Sequence, residues 1–177
     1  AGAGLAAEQQ DRLREINEQR SLLALKFQEN WLAENNAFKL IIENEADLAG
    51  LPQSVVDGAA QAAANDSLAG KWMFSLDKPS LIPFITYADN RSLREKLYTA
   101  YLNRCNNNNA NDNKNVIKEI LTLSQDRVML LGYSTTADYI LEERMARTPQ
   151  NVFDLLNKLW TPALNVAKKE LADLQQM

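Results

Sequence analysis

The sequence predicts a mainly α-helical protein: a multi-helical array with one small two-stranded β element at about residues 38–42 and 71–76. Three observations lead there. Glycine (6) and proline (5) are scarce in 177 residues, while Ala, Leu, Glu, Gln and Lys abound, a mix that favours helix. Apolar residues recur at helical spacing over long stretches. Only two short runs are β-prone. Hydrophobic residues make up 46% of the chain, too many for disorder. A chain of this size buries roughly 70% of its unfolded surface. The expected organisation is a disordered arm or expression remnant at residues 1–10, then a single helical domain over residues 11–177.

Residues 8–35 read as one long helix without Gly or Pro. Leu13, Ile16, Leu23, Phe27 and Trp31 follow steps of three, four and seven. Leu22, Leu25 and Leu32 lie off that stripe, so the helix is expected to meet partners on more than one side. Arg20 interrupts the heptads that a two-stranded coiled coil requires. Phe38-Lys39-Leu40-Ile41-Ile42 and Lys71-Trp72-Met73-Phe74-Ser75-Leu76 are the β-prone runs. Between them Leu51-Pro52 opens a helix, Ser54 caps near its start, and residues 55–64 continue it. The two strands are expected to pair as a ribbon whose direction the residues leave open.

Residues 81–88 return to helix. Pro83 fits only a first turn, so Pro79 or Ser80 marks the start. Asp89-Asn90 breaks the chain before a helix at 92–104, with Leu93, Leu97 and Tyr101 on one stripe. Residues 106–115 hold seven asparagines. Such amides serve turns and caps, so a solvated loop is expected rather than a metal or sugar site. The following helix carries Ile117, Ile120, Leu121, Val128 and Leu131 on its apolar face, and Gly132 stops it. Ser134-Thr135-Thr136 caps a helix at 137–146. Thr148 and Pro149 start the last helix as cap and first residue. Its stripe is Val152, Leu156, Leu159, Ala163, Ala167, Leu171 and Leu174, with a kink expected at Pro162. This pattern runs to Met177 without a stop signal, which reads as truncation.

Composition excludes several chemistries. The chain has no histidine, so no Ser-His-Asp triad, Cys-His pair or H-E-x-x-H zinc helix can be assembled from it. Net charge is −4, with basic and acidic residues interleaved; the basic patch of a nucleic-acid module is missing. No apolar run approaches 18 residues, so no membrane helix is expected. The first ten residues lack the basic and apolar regions of a signal peptide. Cys105 is the single cysteine, so no intrachain disulfide forms, which suits the cytoplasm without excluding the periplasm.

The remaining motifs have structural readings beside functional ones. Trp72, Phe74, Phe84 and Tyr87 line a peptide groove or, the preferred reading, build core. Arg91 and Arg94 hold a peptide carboxylate bidentately or, by preference, make salt bridges at a helix start. Glu142-Glu143, and Glu34 beside Asn35, read as exposed helix-face polar pairs. Tyr133, Ser134 and Thr135 lack a base. Arg104 next to Cys105 would lower the thiol's pKa, though a lone thiol is read as inert. No catalytic, cofactor-binding or metal-binding residue is assigned.

One segment carries a resemblance. WMFSLDKPSLIPFITYADNR, residues 72–91, is similar to a stretch of the thimet oligopeptidase and peptidyl-dipeptidase family of zinc metallopeptidases. Arg94-Glu95-Lys96-Leu97-Tyr98, Ala100-Tyr101 with Arg104, Asp112-Asn113, Leu130-Leu131-Gly132-Tyr133, Ala137-Asp138-Tyr139 and Arg144-Met145-Ala146 follow in the family's order. Leu51-Pro52 fits an earlier turn, and the bacterial dipeptidyl carboxypeptidase branch is nearest in detail. The loop at Cys105 departs from the family's glycines, and Leu123-Ser124-Gln125 replaces a more basic pattern. The family's zinc helix, third glutamate ligand and substrate-orienting tyrosine and histidine have no positions here.

The resemblance implies an N-terminal-side fragment of a helical enzyme split by a deep channel, which cleaves short peptides with zinc. Zinc belongs to the full-length enzyme and no cofactor to this segment. The implied role is that of a noncatalytic channel wall, in a cytoplasmic or periplasmic protein of bacterial type. Partners are short peptides for the parent, with no nucleic acid and no membrane, and self-association for the isolated fragment. The alternative is a free-standing helical protein–protein interaction module.

Overall fold

The computed structural model of the chain describes residues 2–176. Ala1, in the expected N-terminal arm, and Met177, at the end of the expected last helix, lie outside the described residues. The elements follow in the order α1 (Ala7–Ala37), β1 (Leu40–Ile42), a 3-10 turn (Glu45–Leu48), α2 (Gln53–Asn65), β2 (Trp72–Phe74), α3 (Lys78–Tyr87), α4 (Arg91–Leu102), α5 (Lys114–Leu130), α6 (Thr136–Leu141) and α7 (Pro149–Gln176). They fall into two compact units, Ser21–Ile120 and Ala1–Arg20 with Leu121–Met177; α1 and α5 contribute residues to both.

In Ser21–Ile120 the two β-prone runs pair antiparallel, Leu40 opposite Phe74 and Ile42 opposite Trp72. Alternation then sorts the side chains. Leu40, Ile42 and Phe74 are buried, while Ile41 is exposed. They join Leu48, Leu76, Leu81, Phe84, Ala88 and Leu97 in one core, with Trp72 half-buried against it. Phe74 meets Phe84 edge-on at 4.6 Å and 60°, the geometry that aromatic quadrupoles prefer.

The connections explain the helix starts. Asn44 caps the 3-10 turn by accepting from the Ala46 amide at 3.1 Å. Gly50 follows with φ +84°; a Cβ there would stand 2.2 Å from the Tyr87 carbonyl oxygen, so only glycine fits. Pro52 is the N-cap of α2 and its carbonyl accepts from Val55 and Val56. Ser54 therefore lies inside the first turn and is not the cap. Pro79 sits at the start of α3, but Pro83 lies within the helix rather than in its first turn. The bond lost there is the one to the Pro79 carbonyl, at the helix's own N-terminal end. Asn90 caps α4 through the Leu93 amide at 3.2 Å.

In the second unit Leu13, Ile16 and Val128 are buried. Arg20 Nε donates to Ser124 Oγ at 3.1 Å and Arg127 Nε to Asn17 Oδ1 at 3.0 Å, tying α1 to α5. Gly132, at φ +88°, ends α5. The Tyr133 amide bonds the Val128 carbonyl and the Gly132 amide that of Met129, satisfying two acceptors of the last turn. Thr135 caps α6, accepting from the Asp138 amide and donating to its carboxylate. That helix ends at Leu141, short of the expected residue 146. Beyond it, tight three-residue-span bonds from Arg144 to Leu141 and Arg147 to Arg144, with Arg147 at φ +65°, replace helix. Thr148 caps α7 as expected. No described residue of α7 is buried.

Off-stripe Leu22, Leu25 and Leu32 of α1 are also exposed, so nothing among the described residues covers that side of the helix. Replacing the fully buried ring in Phe84→Ala should lower stability by about 3–5 kcal/mol. Tyr87→Ala, at a ring that is 53% exposed, should cost about 0.5 kcal/mol or less. Urea unfolding of both variants measures the contrast; similar losses would mean that the Phe84 ring is not core.

Candidate functional site

The four aromatic residues divide. Phe74 and Phe84 are core, Trp72 is half-buried and Tyr87 is exposed. They form no shared groove wall. Beside them, a hollow of about 470 Å³ lies between α2, β2 and the start of α3, lined in part by Val55, Gly58, Ala62, Met73, Ser75 and Asp77. The Asp77 carboxylate accepts from Asn35 Nδ2 at 2.8 Å and from Ser75 Oγ at 3.1 Å.

Asn35 departs from the sequence reading. It is 4% exposed, not on a solvated face. Its amide nitrogen goes to Asp77, and its oxygen accepts from Arg104 Nη1 at 3.4 Å. The Arg104 guanidinium carbon stands 3.8 Å from the centre of the Tyr101 ring and 5.5 Å from that of Trp31. Nε donates to the Tyr101 carbonyl at 2.9 Å. A cation between two aromatic faces with its N–H groups bonded is a strut. It joins α1, the β2–α3 turn and α4.

The asparagine-rich loop is fixed rather than merely solvated. Asn113, 2% exposed, accepts from Asn30 at 2.8 Å and donates to the Phe27 carbonyl at 3.1 Å. Glu34 accepts from Asn107 and, at 3.0 Å, from Asn109. Cys105 and Asn108 take left-handed backbone conformations at φ +57° and +53°. Burial, then the Glu34 carboxylate, pushes the Cys105 thiol up; Arg104 pulls the other way and is outweighed. A raised pKa disfavours the reactive thiolate, the opposite of what Arg104 alone suggested.

Arg91 and Arg94 do not make the expected helix-start salt bridges. Arg94 Nη1 donates to the Ala88 carbonyl and, at 3.1 Å, to that of Asp89. Arg91 is exposed and has no ion pair among the described residues. Together with Ile85, Thr86, Glu95 and Tyr98 they line an open groove of about 570 Å³. Elsewhere, Glu142 and Glu143 border a hollow of about 600 Å³ with Tyr133, Tyr139 and Arg144. There the Tyr133 hydroxyl donates a hydrogen bond to the Glu142 carboxylate, which pushes that phenol's pKa up. The carboxylate ties the loop before α6 to the turn after it.

The residues present do not fit a zinc centre. The chain lacks imidazole entirely. Among the described residues no three His, Cys, Asp or Glu side chains gather as ligands, whereas zinc takes three or four from the protein.

The model of Peptidase family M3 matches residues 84–177. Oligopeptidase A of Haemophilus influenzae is 40% identical over 179 aligned residues, which cover 99% of this chain and 26% of that protein. Oligopeptidase A of Escherichia coli is 37% identical, again over 99% of this chain and 26% of the relative. Dipeptidyl carboxypeptidase of Escherichia coli is 30% identical with the same coverage. Identity is thus higher to these oligopeptidases than to that dipeptidyl carboxypeptidase. The chain spans about a quarter of the length of the curated relatives it matches.

The loop yields a pH prediction. The Lys114 backbone amide, aided by that of Asn108 and by the Lys114 ammonium, holds the Asp112 carboxyl below the usual carboxylate range against the effect of its burial. A depressed folded pKa gives stability that is complete above the unfolded value and lost as pH falls through the folded one. The Asn108 and Lys114 amide resonances should therefore hold steady through the ordinary carboxylate range and move together only below it. Movement at an ordinary aspartate pKa would show that these bonds do not fix the loop.

Proposed function

The chain belongs to peptidase family M3, and we propose that it forms a noncatalytic channel-wall segment of a longer zinc-dependent peptidyl-dipeptidase or oligopeptidase acting on short peptides. The observation that carries this is the end-to-end similarity to a quarter of each oligopeptidase in a chain without histidine. In such a parent, zinc activates the attacking water, and residues outside this chain hold it. What this segment supplies is a frame. Its ribbon core and the Arg104 strut keep helices in fixed positions, the requirement for a wall that admits short peptides and excludes folded proteins. No helix among the described residues is long and apolar enough to cross a membrane. A cytoplasmic or periplasmic site of bacterial type completes the proposal.

An interaction-module reading draws on α7. Phe153, Leu155, Leu156, Leu159, Trp160, Val166, Leu171 and Leu174 are all more than half exposed. Contiguous apolar surface of a few hundred Å² or more favours association. The isolated chain should therefore self-associate through this helix at micromolar concentration. Sedimentation velocity measures it, and a clean monomer across that range would refute self-association.

Activity separates the two readings from a catalytic one. Incubated with zinc and a blocked tetrapeptide, the purified chain should release no dipeptide. Chelator-sensitive release, retained after removal of trace proteases, would overturn the noncatalytic assignment.

A further inference from the structure

The groove beside α4 holds two arginines that no acid neutralises. Arg91 occupies the first turn of α4, is exposed, and makes no hydrogen bond or ion pair among the described residues. Arg94 is half-buried, and its Nη1 is anchored on the Ala88 and Asp89 carbonyls. That anchorage fixes the guanidinium plane and leaves Nε and Nη2 without a partner among the described residues. Glu95, the acid in the groove, pairs with neither arginine. Two positive charges against one negative, at the positive end of a 12-residue helix, favour an anion. The apolar part of the lining is Ile85, from α3, and the half-exposed ring of Tyr98, one turn along α4 from Arg94. Thr86 also lines the groove, with its hydroxyl already donated to the Ile82 carbonyl at 2.7 Å.

We propose that this groove binds the C-terminal carboxylate of a short peptide, the carboxylate on Arg91 and Arg94 and the adjoining apolar side chain on Tyr98 and Ile85. A guanidinium fork matches a carboxylate's two oxygens, and an aromatic wall beside it suits a terminal residue with an apolar side chain. The choice of a peptide as the carboxylate's carrier rests on the peptidase reading; the anion site itself rests on the groove.

The test uses the whole chain, isotopically labelled, and reads backbone amide shifts of Arg91, Arg94 and Tyr98. Three probes are titrated: N-acetyl-alanyl-phenylalanine, its C-terminal amide, and inorganic phosphate. The free acid should shift these amides, and the C-terminal amide should bind about tenfold to hundredfold more weakly, the value of a charge-assisted hydrogen bond. Arg91→Gln should weaken the acid by a similar factor, with the spectrum elsewhere unchanged, and Arg91→Lys should restore part of the loss. Arg94 is left intact because it holds the end of α3. Equal response to acid and amide, no shifts with the acid, or an unaltered affinity in Arg91→Gln would overturn the proposal. Phosphate binding as tightly as the acid would overturn the peptide assignment and leave a simple anion site. Failure here leaves the tetrapeptide assay untouched, so the binding site and the peptidase reading fail separately.

Discussion

The edge-on contact between Phe74 and Phe84 is the interaction on which the Ser21–Ile120 unit depends. Phe74 lies on a strand only three residues long and Phe84 on a helix with proline inside it. Neither element is stable alone: a short ribbon needs a covered face, and a proline-interrupted helix lacks a backbone bond. Pressed together they bury each other, with Leu40 and Ile42 closing the ribbon and Leu97 closing the helical side. The antiparallel register is therefore fixed by packing, since a slip of one residue would turn Phe74 outward and Met73 inward.

A polar layer completes what the apolar core begins. Asn35 is buried at the end of α1 with a partner on each side, Asp77 and Arg104. Asn113 does the same against an earlier stretch of α1, between Asn30 and the Phe27 carbonyl. Buried amides hold structure only when their bonds are made. Among the described residues no buried side-chain nitrogen or oxygen lacks a partner. These contacts specify which turn of α1 faces the loop, something that the leucines along that helix leave loose.

Surface left open has a physical origin too. The apolar face of α7 takes in Phe153, Leu156, Trp160, Ala163, Ala167, Leu171 and Leu174, at helical spacing. A stripe of that width matches burial against more than one neighbour. The off-stripe leucines of α1 carry the same pattern in weaker form. The groove at Arg91 and Arg94 differs in kind, because its opening is charged, and one of its arginines is held in place by backbone carbonyls.

By itself the sequence determined the helix count in outline, the two β-prone runs, the break at Asp89-Asn90, the caps at Thr135 and Thr148, and the stop at Gly132. These depend on local chemistry: side chains bonding nearby amides, and glycine's freedom at positive φ. It also ruled out a histidine-based centre, because composition is independent of folding, and its ordered motifs already resembled the family. Tertiary structure decided the rest. It chose the antiparallel direction of the ribbon and buried Asn35 and Asn113. It drew Arg94 onto carbonyls instead of an acid, raised the Cys105 thiol through burial, and ended α6 at Leu141. Each of these depends on a partner distant in sequence or on competition between local turns and helix. Spacing along the chain carries no record of which long-range partner a polar side chain will meet, so an asparagine that folds inward reads the same as one left in water.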